Sequence, residues 1–184
     1  TVDRAPTGSP LVITLSNGST ITIPVGATTG SSAPVPVRSD DVYAQGDVPV
    51  SVSIASTAGG GYPALDLGGP ATTVVSDDSD VTTLSLAATP SVAEGGSILY
   101  TATLDHPAAT AMTVTLSNGA VITIAAGASS GTVSVAAPTD DVYLDAGSVS
   151  ATIGSTSGGG FESLAVDPTA AVTAITDTLD PTTL

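Results

Sequence analysis

Three strings in this chain of 184 residues occur twice, the second occurrence following the first by 99 to 101 positions. Leu15-Ser16-Asn17-Gly18 returns as Leu116-Ser117-Asn118-Gly119, Asp40-Asp41-Val42-Tyr43 as Asp140-Asp141-Val142-Tyr143, and Gly59-Gly60-Gly61-Tyr62 as Gly158-Gly159-Gly160-Phe161. A period this long is that of a small domain, because solenoid units repeat every roughly 20 to 45 residues and must stack to fold. Turns and acidic loops recur as faithfully as apolar positions, so the repeat preserves a joint or a site as well as a fold.

The copies differ in extent. Thr1-Val2-Asp3-Arg4 aligns with Thr103-Leu104-Asp105-His106, which leaves residues 82 to 102 without a counterpart in the first copy. Pro181-Thr182-Thr183-Leu184 aligns with Val81-Thr82-Thr83-Leu84. These matches divide the chain into residues 1–80, a repeat lacking its first strands, and residues 81–184, a complete repeat ending in the start of the next linker. The expectation is a piece of a longer array.

The hydrophobic period is two. Ile98, Tyr100, Ala102 and Leu104 alternate with polar or small neighbours, as do Met112, Val114 and Leu116, and in the first copy Val48, Val50, Val52 and Ile54. No segment keeps helical spacing for about ten residues without a Gly, a Pro or a β-branched cluster. Strands A to G of the second copy are expected at 82–93, 97–104, 112–116, 120–125, 131–136, 148–154 and 170–176. This pattern predicts an all-β chain of tandem Ig-like antiparallel β-sandwiches with about seven strands each.

Charge narrows the partners. Seventeen acidic residues face two basic ones, Arg4 and Arg38, for a formal charge of −15. Nucleic acid and anionic membrane surfaces both require clustered cations, so neither fits. No apolar run reaches the roughly 18 residues of a membrane span, so direct membrane insertion is not expected. The absence of cysteine excludes disulfides and thiolate metal sites.

In an up-and-down sandwich the A–B, C–D and E–F loops share one end with the terminus of strand G. That end gathers Glu94, Asn118, Asp140, Asp141, Asp145 and Asp177. Carboxylates so close repel one another unless a cation compensates them. Ca²⁺ takes about six to eight oxygens and accepts them from several loops, whereas a single histidine offers zinc little. The candidate ligands are Asp40, Asp41, Asp77, Asp78 and Asp80 in the first copy, with Asp47 a further one, and Glu94, Asp140, Asp141, Asp145 and Asp177 in the second. Thr178 stands where the first copy has Asp78. Each Asp-Asp pair taken alone better suits a solvated or turn-capping role; recurrence in both copies, together with Asp77-Asp78-Ser79-Asp80, shifts the balance to the cation. Asp105, Glu162 and Asp167 fall at the opposite pole, to meet the preceding linker or water.

Tyr43 and Tyr143 suit a corner tyrosine, its ring buried and its hydroxyl bonded to nearby backbone. The glycine triplets lack the strand, helix and GK[ST] context of a phosphate loop and suit a flexible F–G turn. No catalytic function is expected. His106 has no nucleophile at motif spacing, and an aromatic content of 3% leaves little to line the sugar cleft that a two-carboxylate glycosidase needs.

Several runs carry a resemblance: Ser91-Val92-Ala93-Glu94-Gly95-Gly96, Tyr100-Thr101-Ala102-Thr103-Leu104, Val114-Thr115-Leu116-Ser117-Asn118-Gly119, Asp140-Asp141-Val142-Tyr143 and Ala174-Ile175-Thr176-Asp177. Together they resemble the extender repeats of giant RTX-type biofilm adhesins, the large adhesion protein of pseudomonads among them. The first copy, with Thr22-Ile23-Pro24-Val25-Gly26-Ala27-Thr28, resembles a sister repeat. The resemblance implies type I secretion, display on the surface of a Gram-negative cell, and a spacer role in adhesion with neighbouring repeats as partners and a monomer in isolation. The order Glu94, Asp140, Asp141, Asp177 is similar to the ligand order of Calx-beta calcium-binding domains. The nonapeptide calcium repeats of RTX proteins do not occur here, so calcium would come to the sandwich loops. The alternative is a binding or self-association module mediating cell–cell contact.

Overall fold

The computed structural model describes every residue except Leu144, Asp145, Asp180 and Leu184. The chain is all-β and forms two compact units that interleave in sequence. One comprises Thr1–Asp40 and Gly46–Asp77, the other Asp41–Gln45 and Asp78–Leu184. Among the described residues no helix is long and apolar enough to cross a membrane.

The first unit has five strands: β1 (Leu11–Leu15), β2 (Thr20–Ile23), β3 (Val48–Val52), β4 (Ile54–Gly59) and β5 (Ala71–Val75). They form an antiparallel sheet of order β2-β1-β4 and a separate β3-β5 pair. The β1–β2 hairpin turns at Asn17-Gly18, where Gly18 takes a φ of +84° that other residues resist. Its buried core is small: Leu11, Ile13 and Ile23, backed by Leu15, Ile21, Ile54, Tyr62 and Leu65.

The second unit adds β6 (Val81–Ala88), β7 (Ser91–Ala93), β8 (Ser97–Leu104), β9 (Met112–Leu116), β10 (Val121–Ile124), β11 (Ser130–Ala136), β12 (Gly147–Ala151), β13 (Ile153–Gly158), β14 (Ser163–Val166) and β15 (Ala171–Thr176). Its sheets run β11-β8-β6-β14, β10-β9-β13 and β12-β15-β7. The alternation read from the sequence is the alternation of burial. Ile98, Tyr100, Ala102 and Leu104 of β8 point inward to meet Met112, Val114, Leu116, Ile122 and Ile124, while their neighbours stay more accessible.

Antiparallel pairing throughout does not hold. β14 runs parallel to β6, and β15 runs parallel to β7. For β15 and β7 the reason is directional: strands A and G are separated by an even number of reversals, so they point the same way when they become neighbours. Two expected strands are also broken. Strand A splits at Thr89-Pro90, where β6 leaves the β8 sheet and β7 joins β15; Ala174 N donates to Pro90 O at 3.0 Å and the Thr173 hydroxyl to Thr89 O at 2.7 Å. Strand F splits at Thr152, so β12 follows β15 and β13 follows β9. β14 falls in the stretch expected to be only an F–G loop.

Equivalent positions fare differently in the two units. Ala137 is 7% exposed, whereas its counterpart Val37 is 56% exposed. Thr173 is fully buried, whereas Thr73 is exposed. The counterparts of β11 and β14 in the first unit are not strands, because β11 pairs only with β8 and β14 only with β6 and no such strands stand beside them there.

Tyr100 lies fully buried with no hydrogen-bond partner for its hydroxyl. Removing that oxygen relieves an unmet desolvation cost, so Tyr100→Phe raises the stability of the second unit by about 1 kcal/mol. Tyr100→Ala, which empties the same place, lowers it by about 3 to 5 kcal/mol. Denaturant unfolding of both variants checks the pair, and a destabilised Tyr100→Phe contradicts the assignment.

Candidate functional site

Asp41–Gln45 comes from the first sequence repeat yet is packed in the second unit. Its backbone is fastened at two points: Ala44 N donates to Gly160 O and Glu162 N to Val42 O, each at 3.1 Å. Between them the Tyr43 ring stacks on Phe161, with centroids 5.9 Å apart and planes at 24°. The Tyr43 hydroxyl donates to Pro107 O at 2.8 Å. Tyr43 is therefore no corner tyrosine of its own repeat, and Tyr143, 73% exposed, is not buried at all. The loop conformation comes from Asp41, whose Oδ1 accepts from Tyr43 N at 2.9 Å while Oδ2 accepts from the Gln45 amide.

The glycine triplet builds the seat. Gly158, Gly159 and Gly160 have φ of +88°, +92° and +75°, a left-handed run that side chains oppose. A Cβ on Gly159 would lie 2.8 Å from Phe161 Cε2, so only glycine lets the ring lie back on the turn. The triplet is an ordered support, not the flexible turn expected. Gly159→Ala costs about 1 to 3 kcal/mol from the strained φ alone, to be read as a lower melting temperature of the second unit; an unchanged melt contradicts the seat.

The acidic residues fall into three settings. Asp77 is engaged within the first unit: Oδ1 pairs with the Arg38 guanidinium at 2.6 Å and Oδ2 accepts from Gly46 N at 3.2 Å. Asp40, exposed, is the last residue of that unit before the chain crosses to the other. At the opening of the second unit Asp78 and Asp80 bring carboxylate oxygens within 4.8 Å of each other. Glu162 joins them, its Oε2 accepting from Asp80 N at 2.6 Å and its Oε1 buried with no hydrogen-bond partner. The sequence placed Glu162 beside linker or water; its position next to the aromatic of the glycine turn was the available signal.

The third setting joins the A–B loop, the E–F loop and the end of β15. Glu94, 9% exposed, donates its backbone N–H to Thr176 O at 3.1 Å, and Gly95 N donates to Pro138 O at 2.7 Å. The Thr178 hydroxyl donates to Asp140 Oδ1. Asp177 Oδ1 is buried without a hydrogen-bond partner. Asp141 shapes its own loop, accepting from Tyr143 N at 2.7 Å, and Asn118 does the same in the β9–β10 turn by accepting from Ala120 N. Asp145 lies outside the described residues, and Asp47 makes no part of these settings.

Asp105 ties β6 to the end of β8. Its two oxygens accept from Thr83 N at 2.9 Å and from the Thr83 hydroxyl at 2.7 Å, and these bonds hold its pKa below the ordinary aspartate value. Asp167 is lowered likewise by its bonds from Thr169 in its own turn.

A family model described as LapA domain matches the chain twice, over residues 1–78 and 80–178. The chain belongs to the LapA domain family. LapA domains are non-catalytic structural modules that occur as tandem repeats within one chain, in surface adhesins of Gram-negative bacteria. No curated protein and no solved structure matches the chain.

Because the Asp105 pKa is depressed on folding, its stabilising contribution is complete above the ordinary aspartate range and is lost as pH falls through the folded value. Asp105→Asn therefore flattens the acid limb of the stability–pH curve, measured by thermal melts between neutral and acid pH. An acid limb identical to wild type contradicts this.

Proposed function

We propose that the chain is an extender module of a surface-bound bacterial adhesin, made of Ig-like repeats whose joints are stiffened by Ca²⁺. In this reading the array is secreted by the type I route, displayed outside a Gram-negative cell, and holds a distal adhesive part away from the surface for adhesion and biofilm formation. Asp78, Asp80 and Glu162 supply one cation site. Glu94, Asp140 and Asp177 supply another at the end of the second repeat, with Asp141 and Asp145 as further donors. Asp41 and Asp77 hold the loops that carry them.

The observation that carries the reading is Asp177 Oδ1, a buried carboxylate oxygen with no donor, placed where two other acidic loops arrive. A hard cation supplies what the protein does not. The chain passes between units at three places, Asp40/Asp41, Gln45/Gly46 and Asp77/Asp78, and an aspartate stands on each side of the first and the last.

Extracellular calcium modules bind at about 10⁻⁴ to 10⁻³ M. At one hundred times the dissociation constant a single site adds about 2.7 kcal/mol, a large share of the roughly 5 to 15 kcal/mol of an ordinary domain. Calorimetric titration and melts in Ca²⁺ and in EGTA test the reading. Wild type binds in that range and melts higher with Ca²⁺. Asp177→Asn binds at least tenfold more weakly, about 1.4 kcal/mol, and in EGTA melts no lower than wild type because its buried charge is gone. A wild-type melt indifferent to EGTA would sink the calcium joint.

A further inference from the structure

Tyr143 and Tyr62 stand where the Tyr43 contact of the second unit has its two halves, but each is without the other half. Tyr143 ends a second Asp-Asp-Val-Tyr loop shaped by the same aspartate-to-tyrosine N–H bond, yet its ring is 73% exposed and Val142 is 59% exposed. Tyr62 follows a second left-handed glycine triplet, with φ of +79°, +81° and +73°. A Cβ on Gly60 would meet Tyr62 Cε2 at 2.7 Å and Cδ2 at 2.8 Å, the same two ring atoms that Phe161 lays over Gly159. The Tyr62 hydroxyl is tied to Arg4 O, which fixes the ring in this pose. Beside it lies an open cavity of about 490 Å³ lined by Thr1–Arg4 and Tyr62–Asp66.

We infer that Tyr143 is a plug and the Tyr62 turn a socket, and that a second copy of this chain docks head to tail by stacking Tyr143 of one copy on Tyr62 of the next. The template is internal: Tyr43 on Phe161 shows the ring geometry. Heterologous contacts of this kind leave a free plug and a free socket at each step, so they extend from copy to copy unless the rotation between copies closes a ring. One bond of the template cannot form, because Pro63 replaces Glu162 and has no N–H to donate. The contact between separate chains is consequently weak. Repeats joined in one chain need no more, since a short linker holds neighbours at an effective concentration on the order of millimolar.

The biological meaning rests on the extender reading, but the contact needs no ion, so the test is run in EGTA. The ¹⁵N-labelled full chain is followed by amide NMR from about 0.1 to about 3 mM, a range bracketing the effective concentration of tethered modules. The amides of Tyr143 and Tyr62 shift together with concentration in wild type. Tyr143→Ala abolishes the shifts while leaving the remaining spectrum intact, and Tyr62→Phe, which keeps the ring, retains them. Labelled Tyr143→Ala mixed with unlabelled wild type regains the Tyr62 shift alone, because its socket is intact. Spectra independent of concentration, or shifts that survive Tyr143→Ala, overturn the proposal.

Discussion

Burial of one face of β8 organises the core of the second unit. The strand is hydrogen-bonded on both sides, to β6 and to β11, and carries Ile98, Tyr100, Ala102 and Leu104 into the centre of the core. With it in place fifteen apolar residues of the second unit are buried together. In the first unit the hydrophobic cluster is Leu11, Ile13 and Ile23, and Val35, Val37, Val48 and Val50 remain exposed.

The junction segment follows a different logic from the core. Asp41–Gln45 is too short and polar to bury itself, and it is held by backbone bonds to Gly160 and Glu162 and by one aromatic stack. An aromatic pair contributes about 0.5 to 1.5 kcal/mol beyond its area, and each of three hydrogen bonds, the Tyr43 hydroxyl's to Pro107 O included, about 0.5 to 1.5. That is enough to order the loop.

Much of this was legible in the residues. Period-two alternation located β8, β9, β10 and β11 within one or two residues, because each has one face buried and one wet. The splits at Pro90 and Thr152 were not legible, since changing sheets alters a strand's partner without altering its alternation. Parallel pairing of β14 with β6 was hidden for the same reason. For the site, Glu94, Asp140 and Asp177 could be brought to one pole by counting reversals. The partner of Tyr43 could not, because a tyrosine after an Asp-Asp turn reads alike whether its hydroxyl reaches its own repeat or Pro107 of the next.

The central claim is that a loop of the first repeat folds as part of the second unit, and native-state amide hydrogen exchange tests it residue by residue. The amides of Ala44 and Glu162, which donate to Gly160 O and Val42 O, are predicted to exchange far more slowly than an open loop, and Tyr43→Ala to release both while β8 and β9 stay protected. Exchange of Ala44 at the rate of an unstructured segment, with the second unit intact, would contradict the account.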